Sequence, residues 1–319
     1  MIVRWGIGSL DDVLSELGCS APYLLATERH DDVPGQVGRW RELPTDEIDA
    51  IVAALGTADV LVPLGGGSSI DTAKAVSAET GLPVVSIPTT YSGAEWTPFF
   101  GVRDQGRRQR GGGGGAWVAG IVYDPELTLG LPRGATVGTA LNALAHCAEA
   151  LYVEGHNPAA DEHAFEGARL ISHWLPRVVE DPVGLEPRTG LLRGACHAGA
   201  ALGGSMLALG HAMAQALGGR YGLPHGAMNA LALPPALRFN AETAPEALAR
   251  LGAAVGAEDP ARRVEELARL GGFERLRDLG VPEAELADVA AAVVERPGAK
   301  ANPRSATVAE VEELLRSIW

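Results

Sequence analysis

Lysine is almost missing from this 319-residue chain: among 26 basic residues, lysine occurs only at positions 74 and 300. Basic charge is short overall, 26 residues against 40 acidic ones, for a net charge of −14. A nucleic-acid or anionic-membrane partner needs clustered positive charge, so neither is expected. Cysteine is sparse, at Cys19, Cys147 and Cys196. An odd count with no CxxC spacing provides neither a disulfide framework nor a metal knuckle. That usage suits a reducing, cytoplasmic setting. No run reaches the roughly 18 apolar residues a membrane span requires. The opening MIVRWGIGSL has no basic stretch leading into a long apolar one, so no secretory signal is expected.

What is present is an ordinary globular composition, 46% apolar and 21% charged. At about 100–200 residues per domain, the length suggests two domains, each able to bury a core. In the first part, strand-like runs (Pro22–Thr27, Asp59–Leu64, Pro83–Ile87, Gly120–Tyr123) alternate with helical patterns at Thr45–Leu55 and Ile70–Thr80. Thr45 reads as an N-cap. Such alternation predicts βαβ units and a parallel sheet. After Pro132 the periodicity is helical throughout: Val137–Val153, Ala159–Val178, Thr189–Leu217, Pro245–Gly256, Arg262–Leu270, Glu283–Arg296 and Thr307–Trp319. The expected division is an α/β domain over residues 1–135 and an all-helical domain over 136–319.

Between a strand and a helix lies Gly65-Gly66-Gly67-Ser68-Ser69. Glycines admit a ligand close to the backbone, and a helix N-terminus offers free N–H groups to phosphate. A dinucleotide pyrophosphate site is the reading this supports; a plain turn with Ser68 as N-cap is the alternative. Asp71 and Lys74 share a helical face, as an ion pair or as ribose contacts. Thr89, Thr90 and Ser92 follow the next strand, where hydroxyls serve phosphate or ribose.

The helical half carries polar pairs in apolar surroundings. Asn142 and His146 are four apart, as are His211 and Gln215, and His225 opens a later helix. Three imidazoles and an amide from separate elements suggest one shared site. Three His could hold Zn²⁺ or Fe²⁺ with an open position. Asn142 as the fourth member brings no charge to offset the metal, so a metal-free acid–base site is the other option.

GGGSSIDTAK (65–74), PTTYSGAEWTPF (88–99), YDPELTLGLP (123–132), LNALAHCAEALY (141–152), GHAMAQALGGRYGLPHG (210–226), ALRFN (236–240) and ANPRSAT (301–307) occur in one order along the chain. Together they resemble the iron-containing alcohol dehydrogenase-like superfamily, and within it the maleylacetate reductases. The resemblance implies a dehydroquinate synthase-like fold. Its parts are an N-terminal Rossmann-like NAD(P)-binding domain with a parallel sheet and a C-terminal helical domain, with the active site in the cleft between them. It also implies a cytoplasmic homodimer acting on a small anionic carbonyl substrate. The metal ligands of relatives fall at Asn142, His146, His211 and His225; maleylacetate reductases carry Asn at the first and are thought to work without metal. If a metal is bound, His146, His211 and His225 are its ligands. The implied reaction is NAD(P)H-dependent reduction of maleylacetate to 3-oxoadipate, with Asn142, His146, His211 and His225 catalytic. The cofactor residues are Glu28, Gly65, Gly66, Gly67, Ser68, Asp71, Lys74, Thr89, Thr90 and Ser92. Glu28, placed after the first strand, would bond ribose hydroxyls and repel a 2′-phosphate, favouring NADH over NADPH.

Three departures stand out. The chain is one helix short between Thr27 and the strand near Val37. Gln215 replaces a family histidine. Residues 103–115 (RDQGRRQRGGGGG) replace a segment around a family lysine. Arg103, Arg107, Arg108 and Arg110 there read either as a carboxylate clamp or as a solvated flexible arm. Two other functions fit the departures: a retooled family member in a specialised biosynthetic pathway, including an NAD-assisted cyclase, and a non-catalytic dimeric pseudoenzyme.

Overall fold

Short branched-apolar runs bounded by Gly, Pro and Asp form parallel strands in the computed structural model, which describes all 319 residues. In chain order the strands are β1 (Ile2–Trp5), β2 (Pro22–Leu25), β3 (Gly38–Trp40), β4 (Val60–Gly65), β5 (Pro83–Pro88), β6 (Phe100–Arg103), β7 (Gln109–Gly113) and β8 (Trp117–Tyr123). Six of them form one sheet in the order β1-β8-β5-β4-β2-β3, every pairing parallel. This is a Rossmann-like architecture. β2, β4 and β5 are buried along their whole length, because helices cover both sheet faces. On one face α1 (Leu10–Leu17) packs Val13 and Leu14 against Val62, Val85 and Val122. On the other, α2 (Ile48–Ala54) and α3 (Gly67–Thr80) pack Ile51, Ala73 and Val76 against Leu25, Leu61 and Val84. These elements lie in a unit of residues 1–90 and 94–130; residues 91–93 and 131–319 form a second compact unit.

Several expectations for this unit need correction. β1 and α1 add a strand and a helix at the start, so Glu28 follows the second strand rather than the first. β1 was hidden because only four residues pair, and two of them are exposed. The second helix starts at Ile48, and Thr45 is not its cap. Instead Thr45 is buried and its hydroxyl accepts from Glu47 N at 3.1 Å, making a turn before the helix. The shortfall after β2 is real: residues 26–37 hold no helix.

The segment 103–115 is not a shapeless arm. β6 and β7 form an antiparallel hairpin turned at Asp104–Arg108, with Arg107 at φ 63°. The Asp104 carboxylate holds the turn, accepting from Arg108 N and from Arg110. The glycines are shaped by neighbouring rings. A Cβ on Gly113 would stand 3.0 Å from the Phe100 ring, and one on Gly114 would stand 2.9 Å from Phe99. The aromatic rings supply the packing that glycine lacks.

The second unit is helical: α4 (Arg133–Ala150), α5 (Pro158–Glu180), α6 (Leu185–Gly203), α7 (Leu209–Tyr221), α8 (His225–Asn240), α9 (Pro245–Val255), α10 (Pro260–Arg269), α11 (Leu286–Val294), α12 (Pro297–Lys300) and α13 (Val308–Ser317). The single helix expected over Thr189–Leu217 is two, α6 and α7, broken at Gly203-Gly204-Ser205. Apolar periodicity runs on through the break because both flanks face the core. α4 is apolar on every side and buried from Thr136 to Ala150, apart from Thr139. A helix of that kind belongs in the interior. Its polar residues Asn142, His146 and Glu149 are therefore costly unless partnered.

Candidate functional site

The glycine loop occupies the end of β4 in the first unit. Gly66 is the N-cap of α3, with no side-chain cap, so the first N–H groups of the helix stay available. Ser68, one alternative reading as an N-cap, sits inside the first turn. Its neighbour Ser69 pins the loop, donating to Leu25 O at the end of β2 at 2.6 Å. Thr89 N donates to Gly65 O at 2.9 Å. A Cβ on Gly66 would meet Thr90 Cγ2 at 2.9 Å, so only glycine leaves this approach open. Thr90 Oγ1 is buried without a hydrogen-bond partner. Bare N–H groups, a glycine surface and an unspent hydroxyl suit a phosphate. Glu28 is exposed just past β2, the strand beside β4.

Asp71 and Lys74 form the ion pair at 2.8 Å. Lys74 is buried, and its ammonium also donates to Ala94 O at 2.8 Å and to Phe99 O. All three donors are therefore spent on protein groups. Asp71 accepts from Gly101 N at 3.3 Å, which ties the hairpin to α3. Glu95, buried beside this pair, accepts from the Tyr123 hydroxyl at 2.6 Å while its other oxygen has no partner. Burial pushes its carboxyl up from the usual range.

In the second unit the imidazoles do come together. The His146 and His211 rings stack, centroids 4.7 Å apart and 12° from parallel, and His225 lies 5.9 Å from His211. Residues 91–93 reach this cluster. Asn142 Nδ2 donates to Ser92 O at 2.8 Å, and Arg188 donates to the Tyr91 hydroxyl at 3.1 Å. Gly93 has φ 75°, and a Cβ there would stand 3.3 Å from His146 Nδ1. Ser92 Oγ is buried without a partner, as are His146 Nδ1 and His211 Nε2. Burial, and secondarily the two neighbouring imidazoles, hold the His146 pKa well below its ordinary value, so it is neutral near pH 7.

Two residues that organise the cluster escaped the sequence reading. Glu149, fully buried, accepts from Ala208 N (2.7 Å), His211 N (3.0 Å) and His211 Nδ1 (2.7 Å). A carboxylate only accepts, so Nδ1 carries the proton and Nε2 is the free ring position. A Cβ on Gly210 would stand 2.9 Å from this carboxylate, which explains the glycine before His211. Asn229 donates to Asn142 Oδ1 at 2.7 Å and lies 3.0 Å from His225 Nε2. The available signal was spacing: Glu149 follows His146 by three and Asn229 follows His225 by four, each in an apolar run.

These donors do not fit a metal ion. Asn142 is neutral, and both ends of its amide are engaged within the protein. Imidazole lone pairs lie in the ring plane, and two stacked, nearly parallel rings do not converge on one ion about 2.0–2.1 Å from each.

Residues 136–319 match the Fe-containing alcohol dehydrogenase family, C-terminal, and residues 31–114 match iron-containing alcohol dehydrogenase. A maleylacetate reductase from Burkholderia cepacia is 40% identical over 77% of this chain and 70% of its own length. One from Rhodococcus opacus, maleylacetate reductase 1, is 35% identical over 99% of this chain and 94% of its own. The crystal structure of maleylacetate reductase from a Rhizobium species superposes with a TM-score of 0.89 at 31% identity, covering 100% of this chain and 95% of that one. The chain belongs to the iron-containing alcohol dehydrogenase family. It is an oxidoreductase, which sets aside the non-catalytic reading. No helix is long and apolar enough to cross a membrane.

Proposed function

We propose that this protein is an NADH-dependent reductase of a small oxo or enoyl carboxylic acid, converting maleylacetate to 3-oxoadipate. The observation that carries the reading is the buried imidazole cluster, in which His211 Nε2 and His146 Nδ1 have no protein partner. Buried polar atoms of this kind are satisfied by a ligand or water. Gly65, Gly66, Gly67, Ser68, Thr89, Thr90 and Ser92 would hold the dinucleotide phosphates and ribose, and Glu28 the adenosine ribose. Asp71 and Lys74 hold the adjoining loop in shape. NADH, when bound, supplies the hydride from nicotinamide C4.

The chain's own residues then handle the proton. With Nδ1–H held by Glu149, His211 acts through its imidazolium form, giving the Nε2 proton to the substrate as charge develops there and returning to the neutral Nδ1–H form. Neutral His146 and the His225 ring line the same cluster, and preorganised donors there stabilise an enolate-like transition state. Asn142 holds Ser92 and the cluster in register, so we assign it a positioning part. The relatives' names supply the substrate class; the metal-unfitting donor set, with a neutral amide at Asn142, is what favours acid–base chemistry. We also propose a homodimer, which light scattering of the purified protein would test.

The test is equilibrium binding of NADH and NADPH followed by tryptophan fluorescence, then NADH oxidation with maleylacetate. Saturable binding that prefers NADH, and turnover that survives EDTA, are expected. His146→Ala should lower kcat/KM by about 10²–10⁴-fold while NADH binding persists. Failure to bind either nucleotide, or activity lost to EDTA and restored by Zn²⁺ or Fe²⁺, would overturn the proposal.

A further inference from the structure

An oxo-acid substrate needs a cation for its carboxylate. The arginines that the sequence offered, Arg103, Arg107, Arg108 and Arg110, belong to the hairpin of the first unit, where Arg110 is neutralised by Asp104. Arg296 in the second unit is different. It is the N-cap of α12 and half-buried. It takes part in no ion pair: the adjacent carboxylate, Glu295, is bound to Lys300 at 3.2 Å. Its Nε is buried with no partner at all. Its one side-chain bond runs from Nη1 to Gln215 Oε1, at 3.4 Å.

Gln215 is one turn beyond His211 on α7, and residues four apart share a helix face. The guanidinium thus reaches the side of α7 that carries His211, through an amide that offsets only part of its charge. Burial already disfavours the charged form of Arg296. A desolvated cation without a counter-ion is costly, and a carboxylate with its two oxygens matches the unspent donors of a guanidinium.

We infer that Arg296, held by Gln215, is an anchor for the carboxylate of a small organic acid on the His211 side of the helical unit. The kinetic consequence rests on the oxo-acid reading above; the binding consequence does not. Gln215 is the positioning residue: its amide oxygen accepts from the guanidinium without neutralising it.

The experiment titrates succinate, an unreactive dicarboxylate, into the full-length wild type, Arg296→Met and Arg296→Lys by calorimetry. Maleylacetate kinetics follow on the same proteins, with thermal melting to confirm folding. The wild type should bind saturably. Arg296→Met should bind about 10- to 100-fold more weakly, the loss of one charge-assisted hydrogen-bonded contact. Lysine, a point charge without the fork, should recover part of the affinity. KM should rise by a similar factor with kcat little changed. Equal succinate affinity in wild type and Arg296→Met overturns the anchor. If the wild type binds no succinate, KM decides: an unchanged value in Arg296→Met, or a wild type that turns over no carboxylate, overturns it. Succinate binding that depends on Arg296 in a protein inactive on maleylacetate keeps the anchor and overturns the reductase reading instead.

Discussion

The glycine loop of the first unit and the imidazole cluster of the second are built from opposite materials. The loop is backbone: Gly65–Gly67, the start of α3 and the end of β4, with Ser69 pinning it to β2. Nearly all of its chemistry comes from peptide N–H groups that any sequence would possess; what the residues supply is the absence of side chains. The cluster is side chain: His146, His211 and His225 on three helices, each oriented by another side chain or by a glycine that leaves room. A backbone site fails when something is added. A side-chain site fails when something is exchanged.

The largest effect on nucleotide binding should come from adding bulk to the loop. In Gly66→Val the new Cβ would start 2.9 Å from Thr90 Cγ2, and the two further methyls would fill the surface a phosphate approaches. NADH affinity should fall by at least about tenfold, since the pyrophosphate relies on close backbone contact, with no change in the imidazole cluster. Fluorescence titration measures the first. Undiminished NADH affinity would mean that the loop is not the nucleotide site.

The matching exchange in the cluster is Asn142→Asp, a change of one atom. Asn142 Nδ2 donates to Ser92 O at 2.8 Å and Oδ1 accepts from Asn229 at 2.7 Å. A carboxylate keeps the second bond and turns the first into oxygen facing oxygen. The expected cost is about 1–3 kcal/mol of unfolding free energy, that of a buried acceptor left without its donor. Urea denaturation reads it directly. An unchanged midpoint would show that the bond to Ser92 contributes nothing, and a midpoint raised by Zn²⁺ would show that the stacked rings can turn to meet an ion.

The same contrast explains what could be read from the residues alone. The loop is contiguous, so its motif and its strand–helix setting were both legible, as was the parallel sheet. The imidazoles were legible as i, i+4 pairs in apolar helices. Their supports were harder to see, because Glu149 and Asn229 look like ordinary helical residues until the fold buries them at 0% exposure. The hairpin was hidden by composition. Glycine-rich strands have no pattern of their own, and the order of Gly113 and Gly114 comes from Phe100 and Phe99, which precede them by more than ten residues. For Lys74 the sequence leaves an ion pair and a ribose contact open, and the structure shows the ion pair with Asp71. A lysine in a phosphate loop suggests a ligand contact, but the backbone carbonyls of Ala94 and Phe99 that saturate it come from a segment distant in sequence.

In one respect the two regions agree: burial drives the titratable groups toward their neutral forms. His146 is pushed down and Glu95 is pushed up. Glu95 gives the smaller and cleaner test, since its carboxyl lies outside the imidazole cluster. A carboxyl whose folded pKa is raised contributes stability below its unfolded pKa, near 4.5, and loses it as pH rises through the folded value. As pH rises the wild type therefore meets the growing cost of ionising a buried carboxyl. Its Oε1 accepts from Tyr123 at 2.6 Å, a bond a glutamine oxygen can also accept, while Oε2 has no partner to lose. Glu95→Gln should leave stability at pH 5 within about 0.5 kcal/mol of wild type, the range of a substitution that breaks no contact. At pH 8 the variant should gain on the wild type, because the wild type loses stability as its buried carboxyl ionises. Urea curves at the two pH values decide it. A gain that is the same at both, or larger at pH 5, would mean that Lys74 and the Tyr123 hydroxyl already compensate the charge, and that the carboxylate is a partner in the Asp71–Lys74 network rather than a burden on it.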